Sequence, residues 1–201
     1  MAGKKRFDMD TALDAAMVQF WRAGYAATSV DDLSRATGLN RSSIYSSLGD
    51  KDTLFLRCLD RYAARYGEKY DAALSRAASE PVAAVRAFFE VTLKRIADPE
   101  LPDGCLIAQS AMAIPTLSPA VAAHTKEALG FQRSRLRAAL KAGRLPDQDA
   151  DAFAEHMAAV NQSLGVMSRA GASPAQLASV VSVTLDALSR ALPATTRHVA
   201  G

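Results

Sequence analysis

A single glycine, Gly38, most limits what this chain can fold into, because it separates two stretches that each read as a helix too short to stand alone. Upstream, Thr28 and Ser29 are both helix-capping residues, and Asp31 and Asp32 follow at capping-box spacing, where they favour the positive helix end. Val30, Leu33 and Ala36 or Thr37 then recur at helical spacing. Gly38 stops this helix after barely two turns, since glycine enters the left-handed cap conformation without steric penalty. Asn40 caps a second helix, Arg41 to Leu48, with Ile44 and Leu48 on one face and Arg41, Ser42, Ser43 and Ser46 on another. Gly49 ends it and Asp50 caps the next, so Thr28 to Leu54 reads as helix, glycine turn, short helix, stop.

Two helices of this length bury too little surface to be stable alone, and a third must cover them. From Asp10, the residues Leu13, Ala16, Met17, Phe20 and Trp21 recur at threes and fours up to Gly24 and supply that cover. A helix-turn-helix whose second member has a small, polar, arginine-bearing outer face fits a DNA major groove, roughly 12 Å wide. The same spacing also fits a helical hairpin inside any all-α protein.

Charge supports a nucleic-acid partner only locally. Net charge over 201 residues is +3, and residues 1–57 hold eight Lys or Arg against seven Asp. Lys4, Lys5 and Arg6 form a basic arm, read either as a solvated tail or as a phosphate or minor-groove contact. With 49% hydrophobic and 22% charged residues the composition is that of a globular protein, and no apolar run approaches the ~20 residues of a membrane span. No apolar signal segment follows the basic N-terminus, so the cytoplasm is the expected compartment.

Downstream, a long helix from Asp50 keeps Leu54, Phe55, Cys58, Leu59, Tyr62, Tyr66, Tyr70 and Leu74 on one stripe and Arg57, Arg61, Arg65 and Lys69 at strict fours on a face expected to be solvated. Such a helix can act as a lever between two domains. Further helices are expected from Pro81 to about Ala97, from Cys105 to Ile114, from Ser118 to about Ala142, from Asp147 to Arg169 and from Ser173 to Leu192. The Cys105 helix is nearly uncharged and should be buried, whereas Arg133, Arg135, Arg137 and Lys141 make the end of the next one basic. In the final helix Leu177, Val180, Val181, Val183, Thr184, Leu185 and Leu188 spread over more than one stripe, as expected for a helix covered by its own domain and by a second subunit. No strand pattern appears. The expectation is an all-α chain of about nine helices: a DNA-binding head at 1–51, a ligand-sensing and dimerisation domain at 52–193, and a disordered tail at 194–201.

Over residues 10–56 the chain resembles the TetR family of bacterial transcriptional repressors. The resemblance is carried in order and without gaps by Phe20, Gly24, Tyr25, Thr28, Ser29, Val30, Leu33, Ala36, Gly38, Leu39, Ile44, Tyr45, Lys51 and Leu54. It departs at Ser34, where alanine is usual, and at Leu48, where an aromatic is usual. Residues 57–193 resemble the family in helix plan, and Gly104, Cys105 and Leu106 match a Gly-Cys-Leu that opens the sixth helix in some members. The resemblance implies a homodimer, paired through the last two helices, whose recognition helices enter successive major grooves of a palindromic operator. Carried over by position, Arg41, Ser42, Ser43 and Ser46 face base edges behind the Asn40 cap, while Tyr45, Lys51 and Thr28 or Ser29 hold phosphates. It also implies an unidentified small-molecule inducer in the body, for which Tyr62, Tyr66, Phe88, Phe89, Cys105, Gln109 and Met112 are candidate lining residues, each of them equally readable as a core residue.

Cys105, behind Gly104 at a helix start, raises a second possibility, a thiolate that senses oxidants or electrophiles. Cys58 and Cys105 are too far apart to declare a disulfide, and His124, His156 and His198 are scattered, so neither a metal nor another cofactor is expected. An enzyme reading lacks a phosphate-cradling glycine loop, a usefully spaced carboxylate pair and a nucleophile motif. A helical module that uses the head to bind protein rather than DNA is the remaining rival.

Overall fold

The computed structural model describes residues 8–76, 79–143 and 145–192, which leaves the Lys4–Arg6 arm, His198 and the 194–201 tail outside the described residues. Among the described residues there are nine α-helices and no strand: α1 (Met9–Ala23), α2 (Val30–Thr37), α3 (Arg41–Leu48), α4 (Lys51–Arg76), α5 (Pro81–Ile96), α6 (Leu106–Met112), α7 (Pro119–Ala142), α8 (Asp147–Arg169) and α9 (Pro174–Ala191). No described helix is long and apolar enough to cross a membrane.

The local rules read from the sequence act where expected. Ser29 and Asp32 form a reciprocal capping box on α2, and Ser173 and Gln176 form another on α9. Gly38 takes φ +71° and returns its N–H to the Ser34 carbonyl, turning the chain into the Asn40 cap of α3. Ser34, where the family usually has alanine, donates its hydroxyl to the Leu39 carbonyl and so secures the same turn. Leu48 is buried with Ile44 beneath α3.

One difference lies at α6. The expected helix from Cys105 to Ile114 is shorter: Cys105 is an extended N-cap residue, the helix ends at Met112, and Pro115 sits inside a single 3₁₀ turn, Ile114–Thr116. Proline has no N–H for an α-helical bond, and the Thr116 N–H bonds the Ala113 carbonyl at 2.8 Å instead.

One hydrophobic cluster runs from head to body. Leu54, Phe55, Cys58 and Leu59 of α4 lie with Leu13, Ala16, Met17 and Phe20 of α1, and farther along Tyr62, Tyr66 and Tyr70 reach the body core. At about 1.5 Å per residue, the 26 residues of α4 span about 39 Å, which joins head and body by one rigid element. The opposite face of α4 is not simply solvated. Arg61 forks onto Asp14 at 2.7 and 2.8 Å and reaches Asp10 at 2.8 Å, and Arg65 also pairs with Asp14, so two of the four regularly spaced cations fasten the lever to α1. The basic end of α7 is likewise paired: Arg133 with Glu155, Arg135 with Asp71, Arg137 with Asp151 and Lys141 with Asp147.

Candidate nucleic-acid interface and sensing cavity

Burial of Ile44 and Leu48 turns the other side of α3 outward. Arg41, Ser42, Tyr45 and Ser46 are exposed and Ser43 is half-buried, so most of the polar face predicted for groove reading is free of the protein interior. Tyr45 is 55% exposed and so stands outside the core of the head. Asn40 accepts the Ser43 N–H at 2.8 Å, which fixes the first turn of α3 and commits its side chain to the cap.

Arg41 is already engaged. Its Nε and Nη2 donate to the two carboxylate oxygens of Asp31 on α2 at 2.6 and 2.5 Å, and this holds the Asp31 carboxyl below its ordinary value. The fork is the geometry an arginine uses on guanine O6 and N7. Sequence reasoning placed Asp31 only as a helix-start residue and missed this pairing, because the contact crosses the turn at Gly38.

The phosphate candidates divide. Lys51 sits 4.3 Å above the Tyr25 ring, and partial burial lowers its pKa. Tyr25 donates its hydroxyl to Asp52, and burial with that carboxylate pushes the hydroxyl up to about 12. Ser29 is exposed at the start of α2, its hydroxyl engaged with Asp32. Thr28 is a correction: it is fully buried and donates to the Gly24 carbonyl at 2.7 Å, so its side chain ties the α1–α2 turn and is unavailable to phosphate.

In the body, the residues expected to line one pocket separate. Cys105, Gln109 and Met112 border a cavity of about 470 Å³ between α6 and the end of α8, with Val166 and Arg169 opposite. Tyr62 and Tyr66 border a different, smaller cavity of about 220 Å³ between α4 and α7. Phe88 and Phe89 border neither: both are 0% exposed, with Phe88 packed 4.5 Å from the Tyr70 ring, so they fill the core. Spacing along α5 made them apolar candidates, and only the packing of α4 decides that nothing is left for them to line.

The larger cavity touches the joint with the head. Gln109 Nε2 donates to the Phe20 carbonyl at 3.4 Å, and Arg169 donates to the Trp21 and Arg22 carbonyls at 3.3 and 3.0 Å. All three carbonyls lie in the last turn of α1, the negative end of the helix, which attracts cations; the Phe20 carbonyl also accepts the Gly24 N–H at 2.7 Å. α8 approaches α6 closely because Gly165 has no Cβ; one added there would lie 2.9 Å from the Cys105 Cβ. The two thiols differ. Cys58 is fully buried and burial pushes its pKa well up, whereas Cys105 is partly exposed and receives the Tyr62 hydroxyl at 3.4 Å. Among the described residues no group of three His, Cys, Asp or Glu is arranged to hold a metal ion.

A helix-turn-helix with a bare polar recognition face, carried on a long helix from an all-α body, defines a DNA-binding transcriptional regulator. Residues 12–58 match the family model for bacterial regulatory proteins of the tetR family, and residues 81–184 match the tetracyclin repressor-like C-terminal domain. The chain belongs to the TetR family. It is 31% identical over 186 residues to the HTH-type transcriptional repressor ComR of Escherichia coli, covering 90% of this chain and 89% of that one. Among solved structures it matches a cysteine mutant of the TetR family regulator CifR complexed with 26-bp double-strand operator DNA, at TM-score 0.78 and 30% identity over 91% of this chain and 98% of that one. A TetR regulator from Legionella pneumophila shares the fold at TM-score 0.81 and 15% identity, over 90% of this chain and 97% of that one.

Proposed function

We propose that the protein is a repressor whose residues 1–51 read half of a palindromic operator, whose residues 52–193 pair two copies through α8 and α9, and which a small-molecule inducer releases from DNA. The observation that carries the reading is the outer face of α3, where Arg41, Ser42, Tyr45 and Ser46 stand clear of the protein while Ile44 and Leu48 anchor the helix from behind. In this reading Arg41, Ser42, Ser43 and Ser46 address base edges. Tyr45, Lys51 and the α2 start at Ser29 hold phosphates, and Arg41 exchanges Asp31 for a base on docking.

Pairing is supported by an apolar side chain that the single chain leaves uncovered on the last helix: Val183 is 67% exposed. Release is supported by the placement of the 470 Å³ cavity, since Gln109 and Arg169 both border it and both grip the end of α1. A ligand that binds one arrangement of these side chains better than the other shifts head orientation by the difference in its affinities.

Gel shift against the DNA upstream of the chain's own gene tests the reading. Expected are a dimer-sized complex, a steep fall in affinity with salt and weak binding to a single half-site. Salt-independent binding, or none, would favour a protein-interaction module instead. A second reading, oxidant or electrophile sensing at Cys105, is supported by the partial exposure of that thiol beside the cavity. It requires operator binding to be lost after mild peroxide and to survive in Cys105→Ser.

A further inference from the structure

Between α4 and α5 lies another cavity, of about 390 Å³, with a different lining. Ala87, Val91 and the ring of Tyr66 give it apolar wall, while Lys69, Arg76, Lys94 and Arg95 bring four cations against two carboxylates, Glu90 and Asp98. Lys69, Arg76 and Lys94 are exposed. Arg95 is only 5% exposed.

The surroundings of Arg95 do not balance its charge. One amino group donates to the Gly104 carbonyl, and the guanidinium carbon stands 5.5 Å from the Trp21 ring and 5.6 Å from the Tyr66 ring. Its Nε has no hydrogen-bond partner, and among the described residues no carboxylate pairs with it, Asp98 included. Guanidinium does not deprotonate in a protein, and a charge taken out of water is costly unless an opposite charge accompanies it. A carbonyl dipole and two ring faces reduce that cost without supplying the counter-charge.

We propose that the α4–α5 cavity binds a small organic anion, a carboxylate or phosphate monoester with an apolar body, whose charged end pairs with Arg95. The planar fork of arginine matches both head groups, and the volume is that of a small-molecule site. The exposed cations around the mouth attract anions to it. The site is separate from the α6–α8 cavity and does not depend on operator reading, so failure of either proposal leaves the other standing.

The test uses the full chain at fixed ionic strength, with benzoate and phenyl phosphate as probes and benzamide and benzyl alcohol as their neutral counterparts. Binding is read by saturation-transfer NMR and by thermal shift. Expected is saturable binding of at least one anion, no binding of its neutral counterpart, and at least a tenfold loss in Arg95→Met. Ala87→Phe, which fills the cavity and keeps the arginine, should cause the same loss and serves if Arg95→Met does not fold. Which of the two anions binds more tightly distinguishes the carboxylate form of the ligand from the phosphate form. Equal binding of neutral and anionic probes, binding unchanged in Ala87→Phe or in a folded Arg95→Met, or no saturable binding of either anion would overturn the proposal.

Discussion

Arg41 on the outer face of α3 and Arg95 on the inner wall of α5 carry the same charge in opposite surroundings. Arg41 is exposed and already forked onto Asp31, whereas Arg95 is buried, lies against Trp21 and Tyr66, and pairs with no carboxylate among the described residues. An exposed pair in high dielectric contributes little and can be exchanged readily, which suits the proposed exchange of Asp31 for a base on DNA docking. A buried unpaired cation is costly to keep, and the fold tolerates it by close packing at the joint between head and body. The head therefore presents charge that can be redirected, and the body stores charge that is fixed in place.

The largest expected break in this contrast is Trp21→Ala, which removes the ring shared by Arg95, Tyr62 and Tyr66. It should cost about 3–5 kcal/mol in urea unfolding. A loss under 1 kcal/mol would mean the joint repacks and Arg95 is not held by it.

Arg41→Ala should weaken operator binding by about tenfold to a hundredfold and relax selection at one base pair per half-site. Equal loss on operator and random DNA in a filter-binding assay would show that Arg41 touches only phosphate.

Asp14 offers a pH test of the fastening between lever and head. Hydrogen bonds from Arg61 hold its carboxyl below the ordinary value of 3.8. A carboxylate lowered in this way contributes its full stability above that value and loses it as pH falls through the folded-state value. Thermal melts of the wild type should therefore decline below about pH 4 more steeply than those of Asp14→Asn, which starts lower at pH 7. Parallel curves would show that the ion pairs hold nothing.

The smallest effect is expected from Asp31→Asn, which frees Arg41 and removes a negative charge beside the DNA-facing surface. Affinity for operator and random DNA alike should rise roughly two- to fivefold. Weaker binding would mean that Asp31 positions Arg41 rather than competing for it.

Much of the head is legible in order along the chain because each of its signals is local. Ser29 with Asp32, Gly38, Asn40 and the Ile44–Leu48 spacing each act within a turn or two, and the bounds of α2 and α3 fall where those residues put them. Candidate residues in the body were less legible. Phe88 and Phe89 follow the same apolar spacing that a cavity wall would, and nothing in the sequence separates Cys105 and Gln109 from Tyr62 and Tyr66, although the fold gives the two pairs separate cavities.

By itself, then, the sequence determined the helices, their caps, the glycine turn at Gly38 and the polar outer face of α3, because propensity, capping and periodicity depend on neighbours within about four residues. Only the tertiary structure decided that Asp31 holds Arg41, that Arg61 and Arg65 fasten α4 to α1, that Thr28 is sealed inside the head, and that Arg95 is buried without a carboxylate. The Arg61 and Arg65 pairs join residues 47 and 51 positions apart, and the carboxylate missing from Arg95 could have come from any element. No local pattern encodes which distant groups the packing of helices brings within hydrogen-bonding reach.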